Sequence, residues 1–529
     1  GRSRRTQRST AAAQAGPADE DHRRGVERDQ LPQRQPADDS HAKRPAQFGA
    51  FAAAQLNRLT ESWRVVSDTI ADEMRNDLDA LRARSRTLEN NNDFLRRYLD
   101  IVETNLIGEA APALISYADD APGRPDTLAR KAIQSAWAAW CERGTCETSG
   151  QIDFTELCHA IVRGTARDGE ALVLERVGAR AGNAHGYALQ LIDVDRLATR
   201  LNRPASDGVA AIVCGVEIDE RGRPTVYHFQ TGRLSSAQSA FEPVAADSVL
   251  HRFVLQRPEQ KRGIPWGHAA MLSMHYAGEF ALSAIMAAKY GADHLGFFTT
   301  ADGAPPPIGD ESADEPGARI VTSAPGTWDT LPEGTTPVAI ESRYPNEVFG
   351  PFMTSMYQRM SAGLPGANYP ELCQDYAAVN YGSLRGATLS SRDEWKKRQH
   401  WFATAWLSPI FRRWLPLAMA SGAVRLPNGS PLPLAKLDKF LAHGWRFRGW
   451  DWIDPAKDIK AAADSVALGV NSRTRIAAAR GVEIEEIFDD LQQEKALAQQ
   501  YGVSLPELGG AGQSSAATMP DPEDEAKSQ

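Results

Sequence analysis

The sequence predicts an α+β fold, and three observations carry the prediction. Apolar residues recur at helical spacing between about 67 and 166, then alternate in strand fashion between about 171 and 255. No proline occurs between Pro265 and Pro305, and the stretch after Pro265 is apolar on nearly every helical face. A Pro-, Gly-, Asp- and Thr-rich excursion at 299–345 then separates this helix from another. Helices grouped before strands in one region indicate an α+β domain rather than alternating βαβ units.

The chain has 529 residues, 42% hydrophobic and 24% charged, enough for a sizeable core. Residues 1–47 hold few large apolar side chains and are expected to be a disordered tail, with a small basic cluster at Arg2, Arg4, Arg5 and Arg8. Helices follow at about Ser67–Thr87 and Asp93–Leu106, with Asn92 as the N-cap of the second. The arginines Arg82, Arg84, Arg86, Arg96 and Arg97 read as a solvated basic face. Further helices are expected near Thr127–Glu142 and Phe154–Ala166. Strands are expected at Ala171–Arg176, Tyr187–Ile192, Ala211–Ile218, Thr225–Gln230 and Val249–Leu255, with a hairpin turn at Asp219–Gly222.

The long helix runs from about Pro265 to Tyr290, roughly 26 residues or ~39 Å at 1.5 Å per residue. Pro265 suits its first turn. Ala277, Ala281, Ala284 and Ala288 form one stripe, which would let another backbone come close. Short strands near Ala318–Ser323 and Thr336–Ile340 precede a helix at about Asn346–Ala362. The loop Gly363–Gly382 contains no Lys or Arg. A third long helix spans about Ser383–Gly422, bent at Pro409, with Trp395, Phe402, Trp406 and Ile410 on one core-facing side. A helical region reaches to about Leu505, and residues 506–529 read as a disordered acidic tail.

The formal net charge of −9 argues against tight, salt-sensitive binding of nucleic acid over the whole surface. Five cysteines without a Cys-x-x-Cys spacing read as free thiols. No signal-peptide apolar region and no transmembrane run is read from the sequence, since Glu279, His268, His275 and Lys289 break the long apolar stretch. No GxxxxGK[ST], HExxH, GxSxG or GxGxxG pattern occurs. Asp193 and Asp195 could share a face and hold a metal, although two carboxylates alone more often cap a turn. No cofactor or catalytic residue is assigned.

Several stretches in order resemble one family, the lambda-type portal proteins of tailed bacteriophages. They are RARSRTLENNNDFLRR (82–97), Trp137 and Trp140, DGE (168–170), LQLIDVDRL (189–197), GVEIDERGRPTVYHF (215–229), QKRGIPW (260–266), NYGSLR (380–385) and WDWIDPAKD (450–458). Gly382 and Cys373 depart from residues usual in that family. The resemblance implies a portal fold forming a ring, usually of twelve copies, at one capsid vertex. On this chain it implies a wing at 48–263, stem helices at 264–292 and 346–362, and a clip at 293–345. It further implies a tunnel loop at 363–382, a long helix over the wing at 383–422 and a helical crown at 423–505. Double-stranded DNA would pass through without tight binding. The implied partners are further copies, the terminase large subunit, the head–tail connector or adaptor, and the major capsid and scaffolding proteins, with no membrane. The implied location is the virion, and the bacterial host cytoplasm during assembly.

Glu371, Gln374, Asp375, Asn380 and Tyr381 of the loop would then face DNA. The alanine stripe would meet a neighbouring stem helix. Two other classes remain open at this point: a nucleic-acid-processing enzyme using Asp193 and Asp195, and a membrane pore inserting helix 265–290.

Overall fold

The computed structural model describes residues 68–231, 240–293, 296–300, 310–311, 319–320, 335–339, 347–377 and 379–503. The expected tails at 1–47 and 506–529, and most of 293–345, lie outside the described residues.

Helices α1 (Ile70–Asn91) and α2 (Asp93–Leu106) come first. Asn92 separates them because its side-chain oxygen accepts from the N–H groups of Phe94 and Leu95, both at 3.1 Å. Short strands β1 (Ala113–Ser116), β2 (Asp119–Ala121) and β3 (Arg124–Pro125) lead into α3 (Thr127–Cys141) and α4 (Phe154–Asp168). A capping box between Asp153 and Glu156 starts α4, and Gly169 in the left-handed region ends it.

The strand region folds as two antiparallel sheets. It comprises β4 (Glu170–Val177), β5 (Tyr187–Ile192), β6 (Ala211–Val213), β7 (Val216–Ile218), β8 (Pro224–Gln230), β9 (Phe241–Ala245) and β10 (Val249–Phe253). One sheet has the order β10-β4-β5 and the other β6-β7-β8-β9. The single strand expected at 211–218 is a hairpin, with Cys214 (φ 48°) and Gly215 (φ 85°) turning the chain. The Asp219 carboxylate closes the next turn by accepting from the N–H groups of Arg221 and Arg223.

The long helix α5 runs from His268 to Asp293, starting three residues later than expected because Trp266 and Gly267 form a turn. Strand β11 (Gly296–Thr300), short β12 (Asp310–Glu311) and β13 (Arg319–Ile320), and β14 (Thr335–Ala339) lie between it and α6 (Phe349–Ala362). β11 pairs with β14 and β12 with β13, all antiparallel. A β-bearing excursion between two helices is therefore present.

After α6 come a short α7 (Tyr369–Cys373), α8 (Tyr381–Phe402) and α9 (Ser408–Ala420). The expected bend near Pro409 takes the form of a five-residue π-helical segment, Ala403–Leu407. Proline has no N–H for the carbonyl four residues earlier. That carbonyl, on Ala405, accepts instead from Arg252 Nε at 3.0 Å.

The C-terminal part is less uniformly helical than expected. After α10 (Leu437–Phe440), strand β15 (His443–Arg446) pairs antiparallel with β1, more than 300 residues earlier in the chain. Val424, Leu432 and Phe440 are buried in the main core, so residues 423–446 pack into it. Only α11 (Pro455–Ala467), α12 (Arg473–Ala479) and α13 (Ile484–Tyr501) form a helical arm.

The core is aromatic where these elements meet. Trp137 on α3 packs against Trp140, Phe154, Phe411, Trp414 and Trp445, with centroids 4.8–5.8 Å apart. Each such pair adds about 0.5–1.5 kcal/mol beyond area burial. Trp140 Nε1 donates to the Tyr187 carbonyl at 2.8 Å, joining α3 to β5. Trp395, Phe402, Trp406 and Ile410 are all buried, as their spacing predicts.

Candidate functional site

Four of the quoted motifs converge on one buried ionic node. Glu170, the first residue of β4, is fully buried. Its Oε1 accepts from Arg262 Nη2 at 2.6 Å and Nε at 2.9 Å. Its Oε2 accepts from the Gly263 N–H at 2.7 Å and pairs with His251 Nε2 at 2.9 Å. Arg262 Nη1 donates onward to the Cys214 carbonyl at 2.7 Å, fixing the β6–β7 turn.

Two glycines make the geometry feasible. A Cβ on Gly263 would sit 2.1 Å from the Gly169 carbonyl oxygen, and one on Gly169 would sit 2.4 Å from Ile264 C. The strands of DGE and KRGIPW therefore touch backbone to backbone, which places the Gly263 N–H against Glu170.

Arg82 and Arg86 of α1 complete the node, and for these two the expectation of a solvated basic face is corrected, while Arg84 and Arg96 are exposed. Arg82 is 1% exposed, with Nη1 3.3 Å from Asp195 Oδ1 and 3.7 Å from Glu170 Oε1. Arg86 donates to Asp168, Asp193 and Asp195 at 2.6–3.1 Å. A buried guanidinium needs such partners, and they come from residues about 80 to 110 positions away.

The same contacts decide the reading of Asp193 and Asp195. Asp193 caps the following turn by accepting from the Asp195 N–H at 2.9 Å, and both carboxylates are occupied by Arg86. Burial, together with Asp193 and Asp168, raises the Asp195 carboxyl above its usual range against the pull of Arg82 and Arg86. No group of three or more His, Cys, Asp or Glu suited to a metal occurs among the described residues. Among them, too, no helix is long and apolar enough to cross a membrane.

Burial, the larger cause, and Arg262 outweigh Glu170 in setting His251, so its pKa lies below the usual 6.5. The unfolded chain then binds a proton that the folded one excludes. Stability should fall as pH drops below about 6.5, by up to about 1.4 kcal/mol per unit for one proton. His251→Gln retains a donor for Glu170 and should remove this slope. Urea midpoints measured between about pH 7 and pH 5.5 check it, and an unchanged slope assigns the dependence to other groups.

The node sits where the chain enters α5. Two residues past Ile264, the Trp266 N–H donates to the Ala166 carbonyl at 2.9 Å, and its ring lies 4.0 Å from the Arg398 guanidinium of α8. The long helix is thereby fixed at its base to α4, β4 and α8. It packs lengthwise on α6, where Phe280 meets Phe349 and Phe352 at 5.8 and 5.2 Å.

The alanine stripe faces this same side. Ala277 and Ala284 are 4% and 7% exposed within the one chain, while Ala281 and Ala288 are half-buried. The small side chains of Ala277 and Ala284 are thus covered within the one chain. Away from that stripe α5 is exposed: Leu282, Ile285 and Met286 are 60%, 63% and 58% exposed, Leu272 and Tyr276 are exposed too, and His275, Glu279 and Ser283 lie exposed among them.

The loop at 363–382 is more ordered than its composition suggests. Asn368 caps α7, and Asn380 caps α8 by accepting from the Ser383 N–H at 2.8 Å. Of the expected loop residues, Glu371 is half-buried, 3.5 Å from Asn105 Nδ2, and burial raises its pKa. Asp375 accepts from the Tyr369 hydroxyl at 2.6 Å, which holds it below the usual carboxylate range. Gln374, Asn380 and Tyr381 are exposed, with Gln374 at φ 53°.

Residues 56–399 match the family described as "Phage portal protein, lambda family". A probable portal protein of Halomonas phage phiHAP-1 is 30% identical over 493 residues, 91% of this chain and 93% of that one. Portal protein B of Escherichia phage lambda is 25% identical over 161 residues, 30% of each chain. A solved structure titled "Neck of native GTA particle computed with C12 symmetry" aligns over 77% of this chain and 94% of its own, with 16% identity and a TM-score of 0.38. The match over 56–399 and the near full-length relative lead to one conclusion: the chain belongs to the lambda family of phage portal proteins.

Proposed function

We propose that copies of this chain close into a ring at a capsid vertex and that double-stranded DNA passes through its centre. The observation that carries this reading beyond family membership is the α5–α6 hairpin. One side of α5 is satisfied within the chain, and the other exposes Leu272, Tyr276, Leu282, Ile285 and Met286 around Glu279 and His275. So many exposed large apolar side chains on one helix call for a covering surface, and in a closed ring the neighbouring stem supplies it.

The paired β11 and β14 lie in the chain between α5 and α6. We assign the region 293–345 to docking of the terminase large subunit and then of the head–tail connector. The wing would contact the major capsid and scaffolding proteins, during assembly in the host cytoplasm and then in the virion. The chain serves as a conduit, and the motor chemistry belongs to the terminase.

The loop 363–382 is assigned to the channel wall. It carries Glu371 and Asp375 but no Lys or Arg, so it offers phosphate no neutralising charge and DNA can slide. Gln374 is the residue on which to test this, since it is exposed and in none of the loop's hydrogen bonds described above. Gln374→Lys adds one positive charge per copy. Packaging in particles built wholly from the variant should slow by about threefold or more at 0.01 M salt and recover as screening shortens from about 30 Å to about 8 Å at 0.15 M. Wild-type packaging kinetics at low salt would remove the loop from the channel.

A further inference from the structure

The C-terminal arm, α11 to α13, is almost unpacked in the single chain. No residue of α11 or α13 is buried, and α12 buries only Ala477. Leu468 and Tyr501 are 77% and 73% exposed, and Val470 and Phe488 are also bare. The arm is tied down at its edges by ion pairs, Arg385 with Asp458 at 2.9 Å and Arg446 with Glu486 at 3.0 Å. Three short helices with so little burial need another surface to remain folded.

Charge on the arm is segregated. Arg473 and Arg475 on α12 are exposed and have no acidic partner among the described residues. On α13, Ile484, Ile487, Leu491 and Ala498 form the half-buried inner stripe. At 100° per residue, Glu485 and Asp489 fall on the opposite side, and Asp490 about 90° round from the stripe. These three acids likewise have no basic partner among the described residues. One arm thus carries two unneutralised surfaces of opposite sign.

We infer that the arm is a second subunit-joining device, in which α12 of one copy docks on the outer face of α13 of the next. A head-to-tail contact between two different faces of one chain is the type that closes a ring, and the opposed charges set its polarity and register. Nucleic acid is a poorer occupant, because the outer face of α13 is acidic. The inference rests on the ring reading and names the arm's partner within it.

The experiment uses two full-length variants. Arg473→Glu/Arg475→Glu makes both faces acidic, and Glu485→Arg/Asp489→Arg/Asp490→Arg makes both basic. Ring assembly is followed against concentration by light scattering and negative-stain imaging. Each variant alone should need about tenfold more protein to form rings. An equimolar mixture should restore wild-type assembly, because alternating copies pair every acidic face with a basic one. A contact within one chain cannot be rescued by mixing. If wild-type protein forms rings but mixing gives no rescue, or if each variant assembles normally, the arm contact is overturned and the ring stands. If wild-type protein forms no rings, both readings fall. A different partner, captured by wild-type arms and lost equally in the two variants and their mixture, would also overturn it.

Discussion

Glu170→Ala is expected to cost about 3–5 kcal/mol, because it strips the shared acceptor from a site that stays buried. Arg262 is fully buried and donates to Glu170 through both Nε and Nη2. Arg82 lies alongside, already with Nε and Nη1 lacking hydrogen-bond partners. Without the carboxylate the two guanidiniums face each other in a low-dielectric pocket, and the Gly263 N–H loses its acceptor. Denaturation followed by tryptophan fluorescence measures the loss, and less than about 1 kcal/mol would show that Asp195 and solvent compensate the arginines. Adding Arg262→Met to Glu170→Ala should recover part of the loss, since the penalty resides in the stranded charge. The proton balance has a definite sign. Despite burial, Arg262, His251 and Arg82 hold the Glu170 carboxyl well below its usual 4.5. Its contribution is therefore full above about 4.5 and is lost as pH falls further, through the folded-state value.

The elements whose ends are set by local chemistry were legible in the sequence. Asn92 and the Asp219 turn each satisfy backbone groups within a few residues, so spacing alone reveals them. The turn at Cys214–Gly215 was hidden, because apolar residues continue on both sides and the left-handed residue is not a glycine. Strand β15 was hidden for another reason: His443–Arg446 has little strand character alone and is held by β1. Arg82 and Arg86 read as solvated in sequence alone because their carboxylate partners lie far along the chain. The motifs that carry the family resemblance include these partners, and the node gives them a physical cause. Periodicity found the alanine stripe but could not show which chain covers it, since a small-residue face suits either neighbour. The loop residues are a similar case. Composition showed the missing positive charge, but not that Glu371 and Asp375 are engaged within the chain.

Leu282→Glu/Met286→Glu is expected to abolish ring formation while leaving each chain folded. Both side chains are about three-fifths exposed in the single chain, one helical turn apart on the side of α5 away from α6. Exposed substitutions of this kind change the stability of a lone chain by only about 0.5 kcal/mol. At a subunit contact the arithmetic differs. Fully burying a Leu or Met side chain contributes about 1.5–3 kcal/mol, and the variant forfeits two of them while placing two carboxylates against apolar surface. That loss repeats at every interface of a ring, so assembly should fail at any practical concentration. Ala284→Trp provides the contrast. Ala284 is already buried within the chain, so overpacking there should destabilise the single subunit by about 1–3 kcal/mol and lower its denaturation midpoint. Size-exclusion chromatography with light scattering, paired with denaturation, separates the two effects. Intact rings from Leu282→Glu/Met286→Glu would remove this face of α5 from the subunit contact.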